Sequence, residues 1–211
     1  MPIVCPTVTA NDTHIYRTQI ERIQQFAVRI HIDLADGVFA PKLLDISKVW
    51  WPANKSIDIH LMYQRPLFYL DALIKLKPQL IIIQAESDGD FNKYVKVLKS
   101  ANIKVGVSLL ASTSVDHIIG SLENIDHVLI FSGNLGNFGG SVNLELLNKI
   151  NKIKEIKQNI EIGWDGGIND KNINLLAKNG VDVLDVGGYI QRSENSVDAY
   201  AKLNLALIDG N

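Results

Sequence analysis

Apolar positions along the chain fall into two alternating patterns. Short runs rich in β-branched residues recur at residues 3–8, 29–34, 57–62, 80–85, 104–110, 127–132, 160–164 and 183–187. Between them apolar residues return every three or four positions, as at Ile15, Ile20, Ile23 and Phe26. The first pattern predicts strands and the second predicts amphipathic helices, over 15–26, 69–76, 91–98, 115–122, 144–156, 173–177 and 197–208. Helix-start residues precede several of these stretches: Asn11-Asp12-Thr13, Ser112-Thr113-Ser114, Asn169-Asp170 and residues 193–196. Gly180 follows the 173–177 stretch as a C-terminal cap.

The predicted strands are apolar on both faces and are separated by crossover helices, which implies a parallel sheet covered by helices. Eight such β–α units in 211 residues fit a closed (β/α)8 TIM barrel, a fold that needs about 200 residues at its smallest. An open doubly wound sheet would carry a glycine-rich turn after its first strand. Here Pro6-Thr7-Val8-Thr9 contains no glycine, so the α/β class resolves to a barrel. No linker, low-complexity tract or charge block interrupts the alternation, and residues 1–211 are expected to form one domain.

Composition narrows the setting. With 46% hydrophobic residues the chain has ample core, and 21 basic against 23 acidic residues leave a net charge of −2. That balance provides no basic field, so neither nucleic acid nor an anionic membrane is expected as a partner. The single Cys5 forms no intrachain disulfide, and no apolar run reaches the length of a membrane helix. Residues 1–6 lack the basic start and apolar stretch of a signal peptide. A cytoplasmic location is expected.

Chemistry enters with the strand residues that break the apolar rule. His31 and Asp33 are two apart in the second run and share a face, while Ile32 and Leu34 share the other. His60 lies in the third run, and Asp165 ends the seventh, ahead of Gly166-Gly167. Any one of them, taken singly, reads as a satisfied core residue or a turn. Four ionisable groups converging on one barrel mouth would be costly unless paired or metal-bound, and two imidazoles with two carboxylates suit Zn2+, Fe2+ or Mn2+. Glycines cluster after the last three strands, at Gly136, Gly139 and Gly140, at Gly166 and Gly167, and at Gly187 and Gly188. Loops there commonly grip phosphate through exposed backbone N–H groups, which a side chain would obstruct.

These residues resemble the ribulose-phosphate 3-epimerase family. The likeness rests on the segment from His31 to Pro41, on Asp58-Ile59-His60-Leu61-Met62, on Lys104 to Leu109 leading to Thr113–Asp116, on Phe138-Gly139-Gly140, and on Asp165-Gly166-Gly167-Ile168. It implies a TIM barrel with one divalent metal held by His31, Asp33, His60 and Asp165, and no organic cofactor. It implies interconversion of D-ribulose 5-phosphate and D-xylulose 5-phosphate by two-base proton transfer. Asp33 and Asp165 would act on opposite faces of the sugar through a metal-stabilised 2,3-enediolate. Substrate contacts would come from Thr7, His60, Met62, Gly139, Gly140, Gly166, Gly167, Gly187 and Gly188, and a homo-oligomer is expected.

The chain departs from the family pattern at several positions. Thr7 replaces a serine, Ala35 stands where a methionine is usual and another is usual near Phe131, and Gln84-Ala85-Glu86 replaces His-x-Glu. Leu135 to Gly140 lacks the loop proline, Gly187-Gly188 replaces Gly-Ser, and Asp185 puts an acid in the last strand where an apolar residue is typical. The altered loop and the small Ala35 leave two alternatives: an epimerase of another ketose phosphate such as D-allulose 6-phosphate, or a non-catalytic barrel that binds phosphosugars. His14, His117 and His127 are expected to be surface or structural. Lys149, Lys152, Lys154 and Lys157 are expected to form a solvated face, and Trp50-Trp51-Pro52 a barrel cap or subunit contact.

Overall fold

Strand alternation sets the two layers of this protein, seen in a computed structural model that describes residues 1–208. Eight parallel strands close in sequence order: β1 (Ile3–Thr9), β2 (Arg29–Ala35), β3 (Ser56–Met62), β4 (Leu80–Gln84), β5 (Lys104–Leu109), β6 (His127–Phe131), β7 (Glu161–Asp165) and β8 (Val183–Val186), with β8 pairing back onto β1. Around them lie α1 (Thr13–Ile23), α2 (Leu70–Leu76), α3 (Phe91–Ser100), α4 (Leu147–Ile156), α5 (Ile173–Lys178), α6 (Gly188–Gln191) and α7 (Ser196–Ile208). This is a TIM barrel, as the eight β–α units imply. Of the span 1–211 expected for the domain, residues 209–211 lie outside the described residues. No helix of the described residues is long and apolar enough to cross a membrane.

The main hydrophobic core lies between barrel and helices. On β2 the outward residues Ile30, Ile32 and Leu34 are fully buried, in one cluster with Tyr16, Ile20 and Ile23 of α1. The barrel interior has a different composition. Leu80, Ile82 and Leu129, inward-facing on β4 and β6, form a small apolar cluster of their own. Much of the remaining interior is polar. Arg29 pairs with Asp58 (Nε–Oδ2 2.6 Å) and donates two hydrogen bonds to Glu161. His127 Nδ1 lies 2.8 Å from the same glutamate. His127 is therefore structural, in a buried network at the amino-terminal end of the strands.

Two expectations change in the outer layer. Residues 115–122 form two short 3-10 helices, Val115–His117 and Ile119–Asn124, in place of one α-helix. Gly120 and the β-branched Val115, Ile118 and Ile119 disfavour a continuous α-helix there. Lysines of α4 and its C-terminus donate to carbonyls in and around these turns. Lys149 Nζ donates to the carbonyls of Leu110, Ala111 and Thr113, and Lys157 Nζ to those of Leu122, Glu123 and Ile125. Lys149 and Lys157 are clamps, and Lys154 donates to the Gly180 carbonyl, whereas Lys152 stays exposed as expected, paired with Asp116. Trp50 meets α1, its carbonyl accepting from the Tyr16 hydroxyl at 2.6 Å.

Two of the expected start signals act as caps. Asp12 caps α1 by accepting from the backbone N–H groups of His14 and Ile15, and Ser114 accepts from Asp116 N–H ahead of the first 3-10 turn.

Candidate metal and ligand site

The β2–β3 register sets Asp33 beside His60, and the β6–β7 and β7–β8 registers set Asp165 between Phe131 and Asp185. These inward positions bring the groups together at the carboxyl ends of the strands. His31, Asp33, His60 and Asp165 each offer a ligand atom within 4.8 Å of every other. Asp33 is central: its Oδ1 lies 3.2 Å from His31 Nε2 and 3.1 Å from His60 Nδ1, and its Oδ2 accepts from the Thr9 hydroxyl at 2.6 Å. Both histidines are fully buried, and His60 Nε2 sits 3.0 Å from Gln84 Nε2.

Protein charges alone hold the two carboxylates apart in protonation. Burial works against a charge on Asp33, but hydrogen bonds from His31 and His60 prevail and hold its carboxyl well below the usual aspartate range. Asp165 is pushed well above that range by burial and by the neighbouring Asp33 charge. Burial lowers His60, whereas the carboxylates of Asp185 and Asp33 overcome burial and raise His31. The donor set therefore fits a divalent cation: buried nitrogen and oxygen ligands converge, and one carboxylate ionises readily only if positive charge comes beside it.

A cavity of about 230 Å³ opens above the cluster, lined by Thr7, Thr9, Asp33, Phe131, Asp165 and Asp185 below and by the glycine loops above. All six expected substrate-contacting glycines line it, together with Gly133, Gly136, Tyr189 and Arg192. The glycines differ in what requires them. Gly166 has φ +113°, and a Cβ there would lie 2.2 Å from Gly133 N, so close loop packing demands glycine. At Gly188 nothing comes nearer than 3.6 Å to such a Cβ, so packing leaves that position free and its backbone faces the cavity.

Thr7 is buried with an unpartnered hydroxyl on the cavity wall. His60 sits in the ligand cluster but not on that wall, and Met62 is away from it as well. Met62 is fully buried, packed with Ala35, Ala40 and Leu43 against Leu135. Thr9 and Arg192 were missed from the sequence. Thr9 carried a signal, since it is two residues beyond Thr7 and shares its strand face; Arg192 carried none, because its approach to the loop depends on the contact with the Phe138 carbonyl (2.9 Å).

A closed (β/α)8 barrel whose carboxyl mouth gathers two imidazoles and two carboxylates under a glycine-lined cavity defines the class: an enzyme barrel with a possible metal-binding group. Comparison with known proteins gives the family. The model of the ribulose-phosphate 3 epimerase family matches residues 3–191. Ribulose-phosphate 3-epimerase of Helicobacter pylori (strain ATCC 700392 / 26695) is 33% identical over 91% of this chain and 92% of its own length. The Bacillus subtilis (strain 168) protein of the same name is 26% identical over 95% and 97%. The chain belongs to the ribulose-phosphate 3-epimerase family and is an isomerase-class enzyme. Solved structures share the fold: 3-hexulose-6-phosphate synthase from Salmonella typhimurium superimposes with a TM-score of 0.75 at 12% identity, over 99% of both chains. A 3-keto-L-gulonate-6-phosphate decarboxylase from Vibrio cholerae gives 0.74 at 11%, over 100% of this chain and 99% of that one.

Proposed function

We propose that the protein interconverts D-ribulose 5-phosphate and D-xylulose 5-phosphate by proton exchange at C3. The observation that carries this reading is the convergence of His31, Asp33, His60 and Asp165 beneath the cavity. A divalent cation held by these four residues, Zn2+, Fe2+ or Mn2+, would stabilise the negative charge that develops on the substrate oxygens. Asp33 and Asp165 do the proton work. Inversion at C3 requires removal from one face and return to the other, so one carboxylate on one face cannot suffice. Asp33 takes the proton from one face and Asp165 returns one to the other, the two roles exchanging in the reverse direction. Thr7 and the backbone of Gly139, Gly140, Gly166, Gly167, Gly187 and Gly188 bind the phosphorylated sugar, with no organic cofactor.

The pentulose is favoured over a hexulose phosphate by the place of Ala35. It is buried in the packed cluster with Met62 and does not line the cavity, so its small side chain leaves the pocket no wider. The test is a substrate panel on metal-analysed protein, with Asp33→Asn and Asp165→Asn. Each variant is expected to lose about 100- to 10,000-fold in kcat. Either variant turning over at the wild-type rate with a full metal complement would defeat the two-base assignment. A higher kcat/KM for allulose 6-phosphate would replace the pentulose.

A further inference from the structure

Asp185 is a buried acid that the proton chemistry does not use. It lies on β8, is only 2% exposed, and neither of its carboxylate oxygens has a well-aligned hydrogen-bond donor. A carboxylate taken out of water without donors is costly, so its retention in a barrel wall calls for a partner. The β8 registers set it opposite Cys5 of β1 and Asp165 of β7. The imidazole facing it is that of His31, whose Nδ1 lies 3.3 Å from Asp185 Oδ1 and has no other partner, while its Nε2 faces Asp33. His31 thus sits between two carboxylates, one in the ligand cluster and one outside it.

We propose that Asp185 is a positioning residue for His31: its carboxylate accepts the Nδ1–H, which fixes the tautomer and leaves the Nε2 lone pair directed at the Asp33–His60–Asp165 cluster. Imidazole has one proton to place when neutral, and an acceptor behind one nitrogen decides which nitrogen is free to ligate. With both ring nitrogens facing a carboxylate, His31 keeps its orientation when a cation arrives and gives up only its Nε2 proton. The inference rests on the reading of His31 as a metal ligand.

Mn2+ affinity is the decisive measurement, read by electron paramagnetic resonance on the apoprotein, with thermal melting of the metal-free chain alongside. Asp185→Val is expected to bind Mn2+ about 10- to 100-fold more weakly than wild type. Its metal-free melting temperature is expected to stay close to that of wild type, because loss of the Nδ1–H acceptor is offset by removal of a buried carboxylate. A merely structural residue would lower both. Asp185→Asn keeps an oxygen that can accept the Nδ1–H and is expected to recover part of the lost affinity; it also serves if the valine variant fails to fold. Equal losses in the asparagine and valine variants would reduce the effect to charge alone and overturn the positioning role. Wild-type affinity in both variants would overturn it while leaving the metal reading intact, whereas a wild-type chain that binds no Mn2+ would remove both.

Discussion

The Thr9 hydroxyl donates to Asp33 Oδ2 at 2.6 Å, on the opposite side of the carboxylate from the two imidazoles that face Oδ1. Asp33 is thereby held on both oxygens by three side chains from three adjacent strands, β1, β2 and β3. A carboxylate proposed to sit among metal ligands and to face the substrate must not rotate freely, and these three contacts fix its torsion.

Thr9→Val removes the donor while keeping the side chain's shape. Supporting hydrogen bonds of this kind are worth about 10- to 100-fold in activity or metal affinity, so kcat is expected to fall within that range. Thr9→Ser retains the hydroxyl and should stay close to wild type. Steady-state kinetics on both variants, with circular dichroism to confirm an unchanged fold, checks this; an active valine variant would show that the imidazoles suffice to hold Asp33.

The pH dependence of stability should report the network at the other end of the barrel. Burial opposes charge on Glu161, but hydrogen bonds from Arg29 and His127 hold its carboxyl well below the ordinary value of 4.5. A group depressed in the folded state contributes stability above its unfolded pKa and loses it as the pH falls. Glu161→Gln should therefore destabilise the fold at neutral pH by about 1–3 kcal/mol, the range for hydrogen bonds to charged groups. The gap between the two proteins should narrow as the pH drops below 4.5, as denaturant melts over the acid range would show. A gap independent of pH would mean that Glu161 acts by packing, not by charge.

The barrel was legible in the sequence because strands buried on both faces leave an unbroken apolar signature, and eight of them with crossover helices fit a closed barrel. The ligand cluster was legible for a related reason: His31, Asp33 and His60 interrupt that signature on the inward face. What stayed hidden depends on contacts between distant segments. Lys149 and Lys157 look solvated in sequence, and only the fold brings the carbonyls of the segment between β5 and β6 to them as partners. The contact of Asp185 with His31 could not be read from strand β8 alone, since the two residues lie on strands separated by β1. Residues 115–122 carry helical periodicity, but Gly120 and the β-branched residues around it override the pattern.

Glycines around the cavity should separate by substitution into those required by packing and those that face the ligand. Gly166→Ala places a Cβ against the Gly133 backbone at a φ of +113°, a conformation that costs about 1–3 kcal/mol before any clash is counted. It should lower the melting temperature and disturb the loop after β6. Gly188→Ala meets nothing within 3.5 Å and should melt like the wild type. If the Gly188 backbone binds the phosphate, the added methyl group crowds the anion, and KM for the phosphorylated sugar should rise about tenfold, the equivalent of 1.4 kcal/mol, with kcat little changed. Inorganic phosphate should inhibit Gly188→Ala more weakly in the same proportion. An unaltered KM and phosphate inhibition in Gly188→Ala would move the phosphate contact away from the loop after β8, toward Arg192 and the loop that follows β6.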